Sequence, residues 1–94
     1  MIELTIDDDV AEVVLNAPER LNALGPDDLD ELGDAYAEAE RGGVRALLLR
    51  GEGRAFCAGR DISGVDPRDD DVLLYLHGRV EPVMRRIAEF PAPT

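Results

Sequence analysis

Gly51, Gly53 and Gly59 fall within nine positions, in the run Gly-Glu-Gly-Arg-Ala-Phe-Cys-Ala-Gly-Arg-Asp that ends at Asp61. Glycine has no Cβ, so Gly59 can take a positive φ and let a ligand approach the main chain closely. Asp61 can cap a short helical turn at Ile62-Ser63-Gly64, whose free N–H groups would point outward. Backbone donors around Ala58-Gly59-Arg60-Asp61 are therefore the leading candidates for an anion or oxyanion site. An ordinary glycine-rich connection is the competing reading of the same residues.

The rest of the composition removes other chemistries. All ten basic residues are Arg and none is Lys, so neither a Walker-type phosphate loop nor lysine-based covalent catalysis is present. One Cys and one His make neither a disulfide framework nor a zinc cluster, which suits a reducing, cytoplasmic location. Cys57, between Phe56 and Ala58, reads as a small buried filler, and His77 as a partly exposed surface residue. The acidic runs Asp7 to Asp9 and Asp69 to Asp71 lack the spaced ligands and closing Glu of a calcium loop, so no metal site is expected. A formal charge of −11 argues against nucleic-acid and anionic-membrane partners. Met1-Ile2-Glu3 has no basic leader, and no apolar run approaches membrane-spanning length.

The elements that must position the glycine-rich run follow from periodicity. Ile2, Leu4 and Ile6 alternate with polar residues, Asp7 to Asp9 interrupt, and Val10 to Leu15 resume, which predicts a hairpin. Asn16 to Arg20 is a loop, because Pro18 pushes Ala17 out of the helical region. From Pro26 the period changes, with Leu29, Leu32, Tyr36 and Ala39 on one face of a helix that Arg41 and Gly42-Gly43 bring to a stop. Ala46-Leu47-Leu48-Leu49 is an unbroken apolar run, which predicts a parallel strand covered on both faces. Leu73, Leu76, Val80, Val83 and Ile87 form the stripe of a last helix, with a kink or loosening at Pro82, whose ring would press on the carbonyl of Gly78. Ninety-four residues suit one small domain with an aliphatic core, since only 4% of them are aromatic.

Two segments resemble the crotonase family, also called the enoyl-CoA hydratase/isomerase family. Pro18-Glu19-Arg20-Leu21-Asn22-Ala23-Leu24 is similar to its P-x-x-x-N-A-L element, and Phe56-Cys57-Ala58-Gly59-Arg60-Asp61-Ile62 to its F-x-A-G-x-D-[LI] element. Their order, and the strand and helix between them, are also similar, so the resemblance covers residues 1–94. It implies an α/β fold, the N-terminal part of a crotonase-like ββα spiral: hairpin, helix, buried strand, oxyanion loop, helix. It also implies that the backbone N–H of Arg60 is the first of two donors to the thioester carbonyl of an acyl-CoA, its side chain being incidental. By the same resemblance the Ala58 carbonyl accepts a hydrogen bond from the adenine of CoA, and Gly59, Asp61 and Ile62 continue the pocket. Leu21, Asn22, Ala23 and Leu24 match the loop beside the adenine and pantetheine, and Arg20 is the candidate for a CoA phosphate. No cofactor is implied beyond the coenzyme A of the substrate.

The resemblance also exposes departures. The family domain is more than twice as long, and its second glycine-rich loop, with the second donor and the proton-transferring glutamates, has no counterpart here. Glu81, Glu89 and the earlier carboxylates do not match those glutamates. The expectation is half a site, inactive alone, truncated before the second oxyanion loop and prone to self-association through an uncovered sheet edge. Two rivals stand beside it: a non-catalytic CoA-binding or interaction fragment, and a dinucleotide-binding half-domain, which needs a helix opening directly after Gly53.

Overall fold

The computed structural model describes residues 1–94 as β1 (Ile2–Asp7), β2 (Val10–Leu15), α1 (Pro26–Arg41), β3 (Ala46–Gly51), α2 (Val72–Tyr75) and α3 (Glu81–Ala88). A short 3-10 turn, Pro18–Arg20, precedes α1, and a π-helical turn, Leu76–Val80, joins α2 to α3. The sheet order is β1-β2-β3, with β1 antiparallel and β3 parallel to the central β2. Asp8 and Asp9 make the hairpin turn with φ of 54° and 65°, the left-handed pair that a two-residue type I′ turn requires.

One face of this sheet carries the core. Ile6, Ala11 and Leu47 lie in register, as do Leu4, Val13 and Leu49. Against them α1 lays Leu29, Leu32, Ala35, Tyr36 and Ala39, all buried, on the helical spacing that the sequence predicts. Asp28 accepts the Gly25 N–H (2.8 Å) at the start of α1, and Gly43, at a φ of 65°, ends it. The molecule measures 47 × 27 × 16 Å, its short dimension being that of one helix layer on one sheet.

The sheet's other face corrects the sequence reading of β3. Thr5, Glu12 and Leu48 share a register row there, and Leu48 is 52% exposed. Arg50 joins Glu12 (2.9 Å) and Glu52 on the same side, so β3 is covered on one face only. The unbroken leucine run signals hydrophobicity but not which elements reach it. The outer edge of β3 is met by the C-terminal tail, where the Leu47 N–H donates to the Pro93 carbonyl at 2.8 Å. The tail also sets Phe90 edge-on to Tyr36, ring centres 5.4 Å apart, and brings the Thr94 hydroxyl within 3.3 Å of the Tyr36 hydroxyl.

The last helical stretch behaves as Pro82 dictates. The Glu81 N–H reaches back five residues to the Leu76 carbonyl, forming the wide π turn just before the proline. Val83 is buried and Val80 and Ile87 pack on the core, but Leu73 is 67% exposed, so the expected stripe begins later than its spacing suggests.

Candidate functional site

The two segments singled out in the sequence, some 35 residues apart, lie side by side. The Ala58 N–H donates to the Leu21 carbonyl (3.0 Å), the Leu24 N–H to the Gly59 carbonyl (2.8 Å), and the Asp61 N–H to the Leu24 carbonyl (2.9 Å). This short parallel bridge between Leu24 and Arg60 fixes which backbone groups are spent and which are free. The N–H of Arg60 and the carbonyl of Ala58 have no partner within the chain. Gly59 between them has a φ of +110°, and nothing lies within 4 Å of where its Cβ would stand. Conformation, not crowding, therefore demands glycine at this position.

Beside these groups opens a cavity of about 300 Å³. Leu24, Leu29, Leu76, Val80 and Met84 form its apolar walls, and Cys57, Gly59, Arg60 and Tyr75 complete it. Cys57 is thus a half-buried wall residue and not the internal filler that its neighbours suggest. Ile62 is 69% exposed and does not line this cavity. No helical turn opens at Asp61. Its carboxylate instead closes a tight turn, accepting the Ser63 hydroxyl (2.6 Å) and N–H (2.9 Å), and those bonds hold it below the usual carboxylate range.

The loop from Arg20 to Leu24 is built on Asn22. Its side chain is fully buried: Oδ1 accepts the Ala17 N–H (2.8 Å), and Nδ2 donates to the carbonyls of Glu52 (2.9 Å) and Ala55 (3.0 Å). One amide thus ties the loop after β2 to the loop after β3. Asn22 and Leu21 both sit in the left-handed region, at φ of 58° and 54°, and asparagine tolerates it better than leucine. Asn22 consequently shapes the loop from inside and presents no side-chain group outward. Ala23 lends its carbonyl to the Arg20 guanidinium (3.2 Å), which also pairs with Asp28 (2.9 Å). A phosphate at Arg20 would compete with Asp28.

The side chain of Arg60 is itself held in place. Its guanidinium makes a forked pair of 2.9 Å hydrogen bonds to Asp70 and stacks on the Tyr75 ring, 3.8 Å from the centroid. These bonds hold the Asp70 carboxyl below its ordinary range. Nothing in the spacing of Arg60, Asp70 and Tyr75 announces this cluster, because a loop brings them together. His77 is largely exposed and sits 3.0 Å from Glu81, one helical turn on.

Residues 5–94 match the family described as Enoyl-CoA hydratase/isomerase. The chain is 37% identical over 89 residues to the 1,2-epoxyphenylacetyl-CoA isomerase of Escherichia coli, covering 89% of this chain and 34% of that protein. It is 45% identical over 79 residues to "Probable enoyl-CoA hydratase echA6" of Mycobacterium tuberculosis, covering 82% of this chain and 32% of the relative. Among solved structures, an enoyl-CoA hydratase/isomerase from Xanthobacter autotrophicus superposes with a TM-score of 0.85 at 34% identity, over 99% of this chain and 36% of that one. The chain spans about a third of the length of the curated relatives it matches. A match over nearly every residue, on a backbone of the same course, establishes that the chain belongs to the enoyl-CoA hydratase/isomerase family and carries part of the crotonase fold.

Proposed function

We propose that the chain binds an acyl-CoA thioester and polarises its carbonyl with the backbone N–H of Arg60. The observation that carries this reading is the pair of unspent backbone groups, Arg60 N–H and Ala58 C=O, flanking a positive-φ glycine at the wall of an apolar cavity. An N–H left without a partner in the chain, beside an apolar cavity, is free to donate to a ligand oxygen. As a thioester is converted to its enolate, negative charge grows on the carbonyl oxygen. A donor aimed there in advance stabilises the transition state more than the ground state, by about 2.7–4 kcal/mol where such donors have been removed. The apolar cavity takes the acyl chain, and the loop from Arg20 to Leu24 flanks the coenzyme.

In this reading the chain supplies one of the two donors, and none of its carboxylates matches the family's proton-transferring glutamates. Binding and polarisation without turnover are therefore its expected activity. A dinucleotide half-domain is disfavoured, since no helix opens after Gly53 and the next one begins at Val72. Calorimetric titration with butyryl-CoA and with CoA lacking an acyl group tests the proposal. The thioester is expected to bind more tightly, and Gly59→Val, whose branched side chain resists positive φ, to abolish the difference. Equal affinity of the wild-type chain for both compounds would overturn it.

A further inference from the structure

We propose that the side chain of Arg60 is a positioning device for its own backbone N–H, acting through Asp70 and Tyr75. The inference rests on the acyl-CoA reading above and deepens it. Both peptide units that flank Arg60 hang on a single residue, Leu24: its N–H donates to the Gly59 carbonyl and its carbonyl accepts from the Asp61 N–H. Gly59, next to it, is the most permissive residue available, at a φ of +110° with open space where a Cβ would stand. Beside such a hinge, that one contact leaves the peptide free to rock about its hydrogen bond, and a second anchor narrows the direction of the N–H.

The guanidinium does so. Its fork to Asp70 is planar and bidentate, a geometry that sets direction as well as distance. Its stacking on Tyr75, at 3.8 Å, fixes the remaining rotation. Both partners are themselves anchored. Tyr75 ends α2 and donates its N–H to the Asp71 carbonyl (3.0 Å), while the Asp71 side chain caps the Leu74 N–H (3.0 Å). Asp70 therefore precedes a capped helix and is not on a free loop. The cluster also closes the cavity, because Gly59, Arg60 and Tyr75 form one continuous stretch of its lining.

A purely stabilising role fits the cluster poorly. Arg60 Nε and the Tyr75 hydroxyl are buried without hydrogen-bond partners, a cost that an apolar contact of the same shape would not carry. What the arginine provides that an apolar residue does not is a fixed direction for the peptide group that carries it.

The test uses the 94-residue chain with Asp70→Asn, which keeps the shape and removes the charge, and with Arg60→Lys and Arg60→Met. Circular dichroism melts establish which variants fold. Two readouts follow: amide hydrogen exchange at Asp61, whose N–H holds the Leu24 bridge, and dissociation constants for butyryl-CoA and for CoA alone. In Asp70→Asn and Arg60→Met, exchange at Asp61 is expected to speed up and butyryl-CoA affinity to fall about tenfold, the worth of one well-aimed hydrogen bond, with CoA affinity unchanged. Arg60→Lys should recover part of the loss, since an ammonium can reach Asp70 but cannot fork or stack. Equal losses for butyryl-CoA and CoA, or no loss for either, would overturn the proposal. Should the wild-type chain fail to distinguish the two compounds, the acyl-CoA reading falls, and unchanged Asp61 exchange in the variants would show separately that the clamp does not hold the loop.

Discussion

Residues 1–51 and residues 52–94 are held in place by different forces. The first stretch supplies nearly all the buried side chains, and the second adds only Val83 and Phe90. The first is a sheet and a helix pressed together by aliphatic surface, whose register follows from alternation and helical period. The second is fixed by polar knots: Arg60 to Asp70, Asp61 to Ser63, and Arg79 to the Pro26 carbonyl and Asp30. Packing builds the platform, and charge places the loop from Ala58 to Asp70 upon it. The first should therefore respond to lost volume, and the second to pH and charge.

Loss of volume gives the widest contrast. Leu32→Ala, at a site only 2% exposed, should cost about 2–5 kcal/mol in denaturant unfolding, and Leu73→Ala should change stability by no more than about 0.5 kcal/mol. Similar losses at the two sites would mean that α2 is part of the core after all. Next comes the one buried polar residue, which also joins the two stretches. Asn22→Ala removes all three side-chain hydrogen bonds and puts alanine at a φ of 58°, for an expected loss of about 2–4 kcal/mol by the same measurement.

A smaller effect, confined to the polar stretch, concerns acid. Asp70 has a folded-state value lowered below 3.8 by Arg60, so the ion pair adds stability that is fully present above the ordinary carboxylate range and is lost as pH falls through the lowered value. Unfolding measured between pH 2 and 6 should show a shallower acid-side decline in Asp70→Asn than in the wild-type chain; parallel curves would refute the linkage. Asp8→Gly should give a small change, a gain of at most about 0.5 kcal/mol, in which relief of a left-handed residue at the hairpin tip outweighs the extra freedom that glycine gives the unfolded chain. A loss there would show that the Asp8 side chain contributes to the turn.

The same division decides what could be read from the sequence. The hairpin, α1 with its buried face, and the parallel β3 were all legible, because each depends on period and on local stops such as Gly42-Gly43. The pairing of the Leu21–Leu24 and Ala58–Asp61 segments was legible only through family resemblance. The one-sided cover of Leu48 was hidden, since a run of leucines looks the same whether one face or two are packed. Asn22 and the Arg60 cluster were hidden for another reason: their partners lie 30 and 10 residues away across loops, where no period links them. The signal that could have pointed to Asn22 is its type, asparagine being enriched at left-handed backbone positions.

The tail's contacts with Leu47, Tyr36 and Phe90 bear on how this protein comes into being. A ribosome releases β1, β2 and α1 first, and the hairpin can close within about 1–10 μs of emerging. The carbonyl of Pro93 and the ring of Phe90, which finish the edge of β3 and the flank of Tyr36, emerge well after them. At about 5–20 residues per second, the stretch from Gly51 to Pro93 takes seconds to synthesise. Throughout that interval the growing chain carries an unfinished strand edge beside an uncapped aromatic, an opening for mispairing that closes only when Phe90 and Pro93 arrive.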